Sequence, residues 1–274
     1  MQVNHSPKEI LIIQTSYIGD MLFTTPFLRE TRRTFPTANI TLLTTPELAK
    51  LMKNSSAIDN FIIYDKRKKH KNYRAFLRIR KKVKSYGFDL VISPHRSIRS
   101  GLLAKASNAP IRIGFNSSLL SRFFYTSLIP YQPKLEKSFV KRKLALLGPF
   151  NITSNNYAME LSIDLQLQKF VAKKISDWEI NKKTDGKYNI ALLFLGTLGK
   201  QKVWPVGHFA DLTRMLINRN IHVGLMGTLQ EATLAEQLIQ KIISGGDRTD
   251  YIHNFCGILD IRHCAALISL ATLV

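Results

Sequence analysis

The sequence predicts an α/β fold made of doubly wound parallel sheets. Short, continuously apolar runs alternate with amphipathic stretches at helical spacing, which is the pattern of parallel strands joined by crossover helices. The order of strand, glycine turn and helix also occurs twice, at residues 10–26 and again at 189–219, so two such sheets are expected.

Ile10, Leu11, Ile12 and Ile13 form a run that suits a strand buried on both faces, and the turn after it sets Gly19 and Asp20 at the start of a helix reaching about residue 35. Gly19 gives that turn room for tight backbone or close ligand approach. A strand at 40–44, a short helix at 47–53 and a strand at 61–64 follow. Tyr73, Phe76, Leu77, Arg80 and Val83 fall at helical spacing, in a helix closed by Gly87 as C-cap. Residues 89–93 supply the next strand, 99–107 a helix and 111–114 a short strand. The pattern then loosens, with helices at 136–147 and 165–178 around a polar stretch. The alternation resumes with a strand at 189–195, a GTLGK turn, a helix opened by Pro205, a strand at 221–226, a helix at 231–243, a strand near 251–255 and a helix at 259–270. A first domain at 1–150, a connection at 151–187 and a second domain at 188–274 are therefore expected.

The chain of 274 residues carries a formal charge of +21, which points to an anionic partner: nucleic acid, an acidic membrane surface or a phosphorylated substrate. Residues 66–84 hold eleven Lys or Arg and no acid, and most of the excess lies in the first half. A solvated basic face is the plain alternative. No apolar run is long enough to span a bilayer and the N-terminus lacks a secretory signal pattern, so a cytoplasmic location is expected. Cys256 and Cys264 lack a second pair for a zinc site or disulfide framework and read as reduced, packed residues. Neither GxGxxG nor GxxxxGK[ST] occurs, so no dinucleotide-binding or P-loop fingerprint supports a nucleotide site, and with no recognisable reading helix or stacking-aromatic motif, nucleic-acid binding is disfavoured.

On the residues alone, Asp20 is either a helix-start acid stabilised by the macrodipole or a catalytic base at the sheet edge where open α/β folds keep their sites. The turn FLGTLGKQKVWP offers Gly196 and Gly199 for backbone approach, the Thr197 hydroxyl, the charges of Lys200 and Lys202 and a helix N-terminus at Pro205, which suit a diphosphate. A merely basic, flexible loop would read the same way.

The segments SYIGDMLFTTP, SPHRSIRSGLLA, RIGF and KVWPVGHFADL, in this order and spacing, resemble the lipopolysaccharide heptosyltransferases of glycosyltransferase family nine, over nearly the whole chain. The resemblance implies the GT-B architecture, two Rossmann-like domains across a cleft, the first for acceptor and the second for donor. It implies inverting transfer of heptose from ADP-L-glycero-D-manno-heptose to the lipopolysaccharide inner core, with no cofactor or essential metal. Asp20 matches the family's proposed general base, Lys202 the lysine of its K-x-W-P motif, and Thr197, with Gly196, the place where donor phosphates are held. An acceptor bearing Kdo sugars and phosphates is anionic, which makes Arg67, Lys69, Arg96 and Arg99, beside Gly19, candidates for holding it at an anionic membrane surface.

Two departures stand out. Leu195 and Gly196 replace the family's usual proline and glycine, and the aspartate-serine-glycine motif with its following histidine is absent by Val274. The expectation is therefore a truncated chain with an incomplete second domain, peripheral on the inner face of the cytoplasmic membrane. A non-catalytic basic domain binding acidic lipid or lipopolysaccharide is the alternative.

Overall fold

The computed structural model describes residues 6–65, 73–197 and 199–274, which form two compact units, Met1–Ser162 and Ile163–Val274. In chain order the first unit contains β1 (Glu9–Ile13), α1 (Ile18–Leu22), α2 (Thr25–Thr34), β2 (Asn39–Thr44), α3 (Pro46–Leu51), β3 (Asn60–Ile63), α4 (Tyr73–Ser85), β4 (Leu90–Ser93), α5 (Ile98–Ala106), β5 (Ile111–Asn116), α6 (Ser121–Phe124), β6 (Ser127–Pro130) and α7 (Phe139–Leu144), and a 3₁₀ turn over Ala145–Phe150. The strands make one parallel sheet in the order β3-β2-β1-β4-β5-β6. The order reverses between β1 and β4. Such a switch point opens a crevice beyond the carboxyl ends of the two strands.

Alternation along β1 explains the layers. Ile10 and Ile12 enter a core with Phe27 and Leu28 of α2, Leu48 of α3 and Val140 and Leu144 of α7. Leu11 and Ile13 enter the opposite core with Ile79 and Val83 of α4 and Leu103 of α5. The continuous apolar run is thus used on both faces. On α4 the buried stripe is Ala75, Ile79 and Val83, with Phe76 partly buried, whereas Tyr73 is 72% exposed and Leu77 36%. The stripe is set by the i, i+4, i+8 row that the sheet covers, and Tyr73 and Leu77 lie off it. Gly87 has φ +68°, the left-handed conformation that suits a helix C-terminus.

The second unit contains α8 (Leu165–Ser176), β7 (Tyr188–Phe194), α9 (Val206–Ile217), β8 (His222–Met226), α10 (Ala232–Ser244), β9 (Ile252–Asn254), α11 (Ile261–Leu270) and β10 (Ala271–Leu273). Its four strands are parallel in the order β10-β7-β8-β9. The expected connection over 151–187 divides between the two units. Arg29 draws residues 156–160 onto the first by bonding the Asn156 carbonyl at 2.8 Å, the Ala158 carbonyl at 3.0 Å and the Glu160 carboxylate at 3.1 Å. Val171 and Ile175 of α8, and Ile180 after it, are buried in the core of the second. Burial of these apolar side chains places α8 in the second unit.

A row of stacked rings lies beside β9. Tyr251 stacks on His222, His222 on His253 and His253 on Trp178, with ring centroids 4.2, 5.3 and 4.2 Å apart. Burial pushes His253 down to about 4, with His222 adding to the shift and Asp250 opposing it. The unfolded chain therefore takes up a proton that the folded chain refuses, and stability present above pH about 6.5 is lost as pH falls toward about 4. The ring is partly exposed, which discounts the full shift to a loss of about 2 kcal/mol. Urea unfolding at neutral and acidic pH measures this loss, and His253→Phe should flatten it; an unchanged pH slope in that variant removes His253 as its source.

Candidate functional site

The turn after β1 is held from below. Gln14 is fully buried; its Nε2 donates to Thr24 Oγ1 at 2.9 Å, and its backbone carbonyl accepts from Thr44 Oγ1 at 2.6 Å. Thr24 Oγ1 in turn donates to the Asp20 backbone carbonyl at 2.6 Å. These bonds fix α1 at the sheet's switch point and leave the Asp20 carboxyl 35% exposed. Ser16 Oγ donates to Asp20 Oδ2 at 2.5 Å. Lys143 Nζ lies 3.7 Å from Oδ1, an ion pair rather than a hydrogen bond.

Asp20 lines a cavity of about 500 Å³ with Gln14, Ser16, His95, Arg96, Ser117, Tyr131, Arg142, Lys143 and neighbouring residues. Three cations, Arg96, Arg142 and Lys143, line the cavity with this one carboxylate, so the cavity favours an anionic ligand. The Arg96 guanidinium lies 3.8 Å from the Tyr131 ring centroid, and Arg142 sits over Phe139 at 4.5 Å and Tyr131 at 5.3 Å. Burial pulls the Lys143 ammonium below the ordinary lysine range; Asp20 opposes that shift, while Arg96 and Arg142 add to it. His95 comes from the turn after β4, where its Nδ1 lies 2.9 Å from Ser100 Oγ and 3.0 Å from Thr15 Oγ1. It ties the β4 turn to the β1 turn.

Of the residues expected from sequence, Asp20 and Arg96 come together in this cavity. Arg99 does not line it; its Nη1 is 3.5 Å from the Tyr64 hydroxyl. Gly19 lies within α1, is not among the glycines with positive φ, and a Cβ there would meet no atom within 4 Å. Tight backbone is therefore not its reason, although its exposed position leaves approach open. Arg67 and Lys69 lie outside the described residues. Sequence reasoning missed Lys143 and Arg142. The available signal was a lysine at i+3 from Val140 and i−4 from Leu147, on the apolar face of a helix placed near the connection.

In the second unit, Leu195 is buried and Gly196 and Thr197 are exposed at the end of β7. A Cβ on Gly196 would collide with the Glu231 side chain, whose carboxylate accepts from Thr228 N at 2.7 Å and Thr228 Oγ1 at 2.5 Å. A side chain here would therefore have to displace Glu231 from its bonds to Thr228. Lys202 is exposed, and its N–H donates to the Gly199 carbonyl at 2.8 Å in a 3₁₀ turn over Lys200–Lys202.

The family model described as Glycosyltransferase family 9 (heptosyltransferase) matches residues 76–274. The chain belongs to this family. The chain is also similar to lipooligosaccharide heptosyltransferase 2 of Haemophilus ducreyi, 22% identical over 270 residues that make up 95% of this chain and 74% of that protein. Among solved structures, the family 9 glycosyltransferase of Veillonella parvula matches with a TM-score of 0.83 and 22% identity, over 96% of this chain and 74% of its own. Escherichia coli heptosyltransferase WaaC, solved with ADP-2-deoxy-2-fluoro heptose, matches at 0.72 and 18%, over 96% and 80%. The α/β architecture of parallel sheets is that of the GT-B heptosyltransferases, and this family 9 chain is a glycosyltransferase by descent.

Proposed function

We propose that this glycosyltransferase moves heptose from ADP-L-glycero-D-manno-heptose to an inner-core sugar of lipopolysaccharide, with inversion. The observation that carries the reading is the Asp20 carboxylate set among three cations in a cavity at a sheet switch point. A sugar hydroxyl is a weak nucleophile until a carboxylate within hydrogen-bond reach takes its proton. The hydroxyl oxygen forms the new bond to the anomeric carbon as the bond to ADP breaks on the opposite face, and the proton passes to Asp20. Ser16 fixes one carboxylate oxygen, so that the other side of the group is presented to the ligand. Arg96 and Arg142 hold the acid groups of the acceptor.

Negative charge grows on the departing diphosphate, and Lys202, Thr197 and the backbone at Gly196 are the groups assigned to it. Lys202→Ala should lower kcat/KM for the donor by about 10- to 1,000-fold while leaving the acceptor KM in place. The reading itself is tested by incubating the chain with ADP-heptose and a Kdo-bearing lipid A acceptor. One heptose should be gained per acceptor with equimolar ADP; acceptor binding without any mass gain would favour the non-catalytic reading. We place the protein at the cytoplasmic membrane surface, where such an acceptor lies; among the described residues no helix is long and apolar enough to cross a membrane.

A further inference from the structure

Beside the cavity, one short segment exposes more apolar surface than its packing requires. Leu119 is 86% exposed, Phe123 64% and Leu120 44%, and Ile98 at the start of α5 is 56% exposed. Single exposed hydrophobics are ordinary, but these share one place: Leu120 and Ile98 both line the cavity, and Leu119 and Phe123 stand on the same turn and α6. The turn is firmly held. Ser121 Oγ accepts from the backbone N–H groups of Ser117 at 3.3 Å and Ser118 at 3.2 Å. Phe124 is buried against α5, where a Cβ on Gly101 would collide with its ring. A fixed base therefore presents the knobs without the ordering cost of a loose loop.

Charge says what they face. Residues 90–135 contain no Asp or Glu, and Arg96, Arg99, Lys105, Arg122 and Lys134 are exposed there. Apolar knobs among unopposed cations match an anionic bilayer surface, where side chains enter the headgroup layer and arginines meet lipid phosphates.

We propose that residues 117–124, with Ile98, form a membrane-docking wedge that sits in an anionic lipid surface and sets the cavity mouth against it. The choice of lipid over a protein partner rests on the lipid-borne acceptor proposed above. It gives the exposed Leu119 and Phe123 a task that charge alone leaves without explanation.

The test is sedimentation of the full chain with vesicles of phosphatidylcholine plus phosphatidylglycerol, free of lipopolysaccharide and donor. Wild type should bind and keep part of its binding at about 0.5 M salt, where surface electrostatics are largely screened. The double variant Leu119→Ser, Phe123→Ser should bind at least about tenfold more weakly at both salt concentrations, with an unchanged melting profile. Leu165→Ser, an equally exposed apolar site in the second unit, should bind as wild type does. Wild-type affinity in the double variant, no binding by wild type, or wild-type self-association that the double variant abolishes would each overturn the wedge. Transfer to a deacylated, water-soluble acceptor reads the function separately: the double variant should match wild type there, and absence of transfer in both would sink the functional reading while the vesicle result still decides the wedge.

Discussion

Asp20→Asn should lower heptose transfer by about 10²- to 10⁴-fold, the usual contribution of a positioned general base. Asparagine keeps the size of the group, and its carbonyl can still accept from Ser16 Oγ, so the turn between β1 and α1 retains its shape. What it loses is the capacity to take the proton of the attacking hydroxyl. The expected loss is in kcat, with the acceptor KM little changed, because the acceptor's acid groups bind Arg96 and Arg142 rather than a carboxylate. Removing the carboxylate also leaves Lys143 without its ion-pair partner. Lys143, 8% exposed, is left as a buried charge that water entering where the 35%-exposed carboxylate stood offsets only in part, so folding stability should also fall, by about 1 to 3 kcal/mol. Initial rates with ADP-heptose and thermal melts, run together, check both parts. A variant within about threefold of wild-type rate would remove Asp20 from the base role.

The placement of Asp20 was legible because local pattern determines it: a run apolar at every position must be buried on both faces, and its turn must lie at the strand's carboxyl end. The same reasoning could not find β6. Ser127–Pro130 is a four-residue edge strand, half-exposed, pairing only with β5 and closing on a proline, so neither length nor alternation marks it. Arg96 and Arg99 looked equivalent in SPHRSIRS, yet Arg96 lines the cavity and Arg99 approaches Tyr64, because the turn after β4 ends where α5 begins and the two side chains leave different elements. Lys143 was illegible for a different reason. Its partner is Asp20, far away in the chain, and the packing of α7 against α2, with Phe139 stacked at 5.0 Å on Phe23 at the end of α1, brings them together.

Lys143→Met should lower transfer by about 10- to 100-fold while leaving stability unchanged or slightly raised. The lysine is 8% exposed on its side chain, and burial is the largest influence on it, outweighing the help of Asp20. A methionine of similar length removes that desolvation cost, which is why folding should not suffer. Transfer suffers because Asp20 Oδ1 loses the cation that holds the carboxylate in place, and a group displaced by even 1 Å reacts far more slowly. Lys143 acts through Asp20 and is thus a positioning residue, so pH supplies the discriminating readout. Lysine is charged below its pKa, and a depressed pKa means the charge is lost at lower pH than usual as pH rises. Wild-type transfer should therefore fall on the alkaline side before the ordinary lysine range is reached. Lys143→Arg should recover part of the rate and carry the decline to higher pH, since guanidinium keeps its proton. Lys143→Met should lack that decline altogether; if it retains both the wild-type rate and the alkaline fall, the cation beside Asp20 has no part in the reaction.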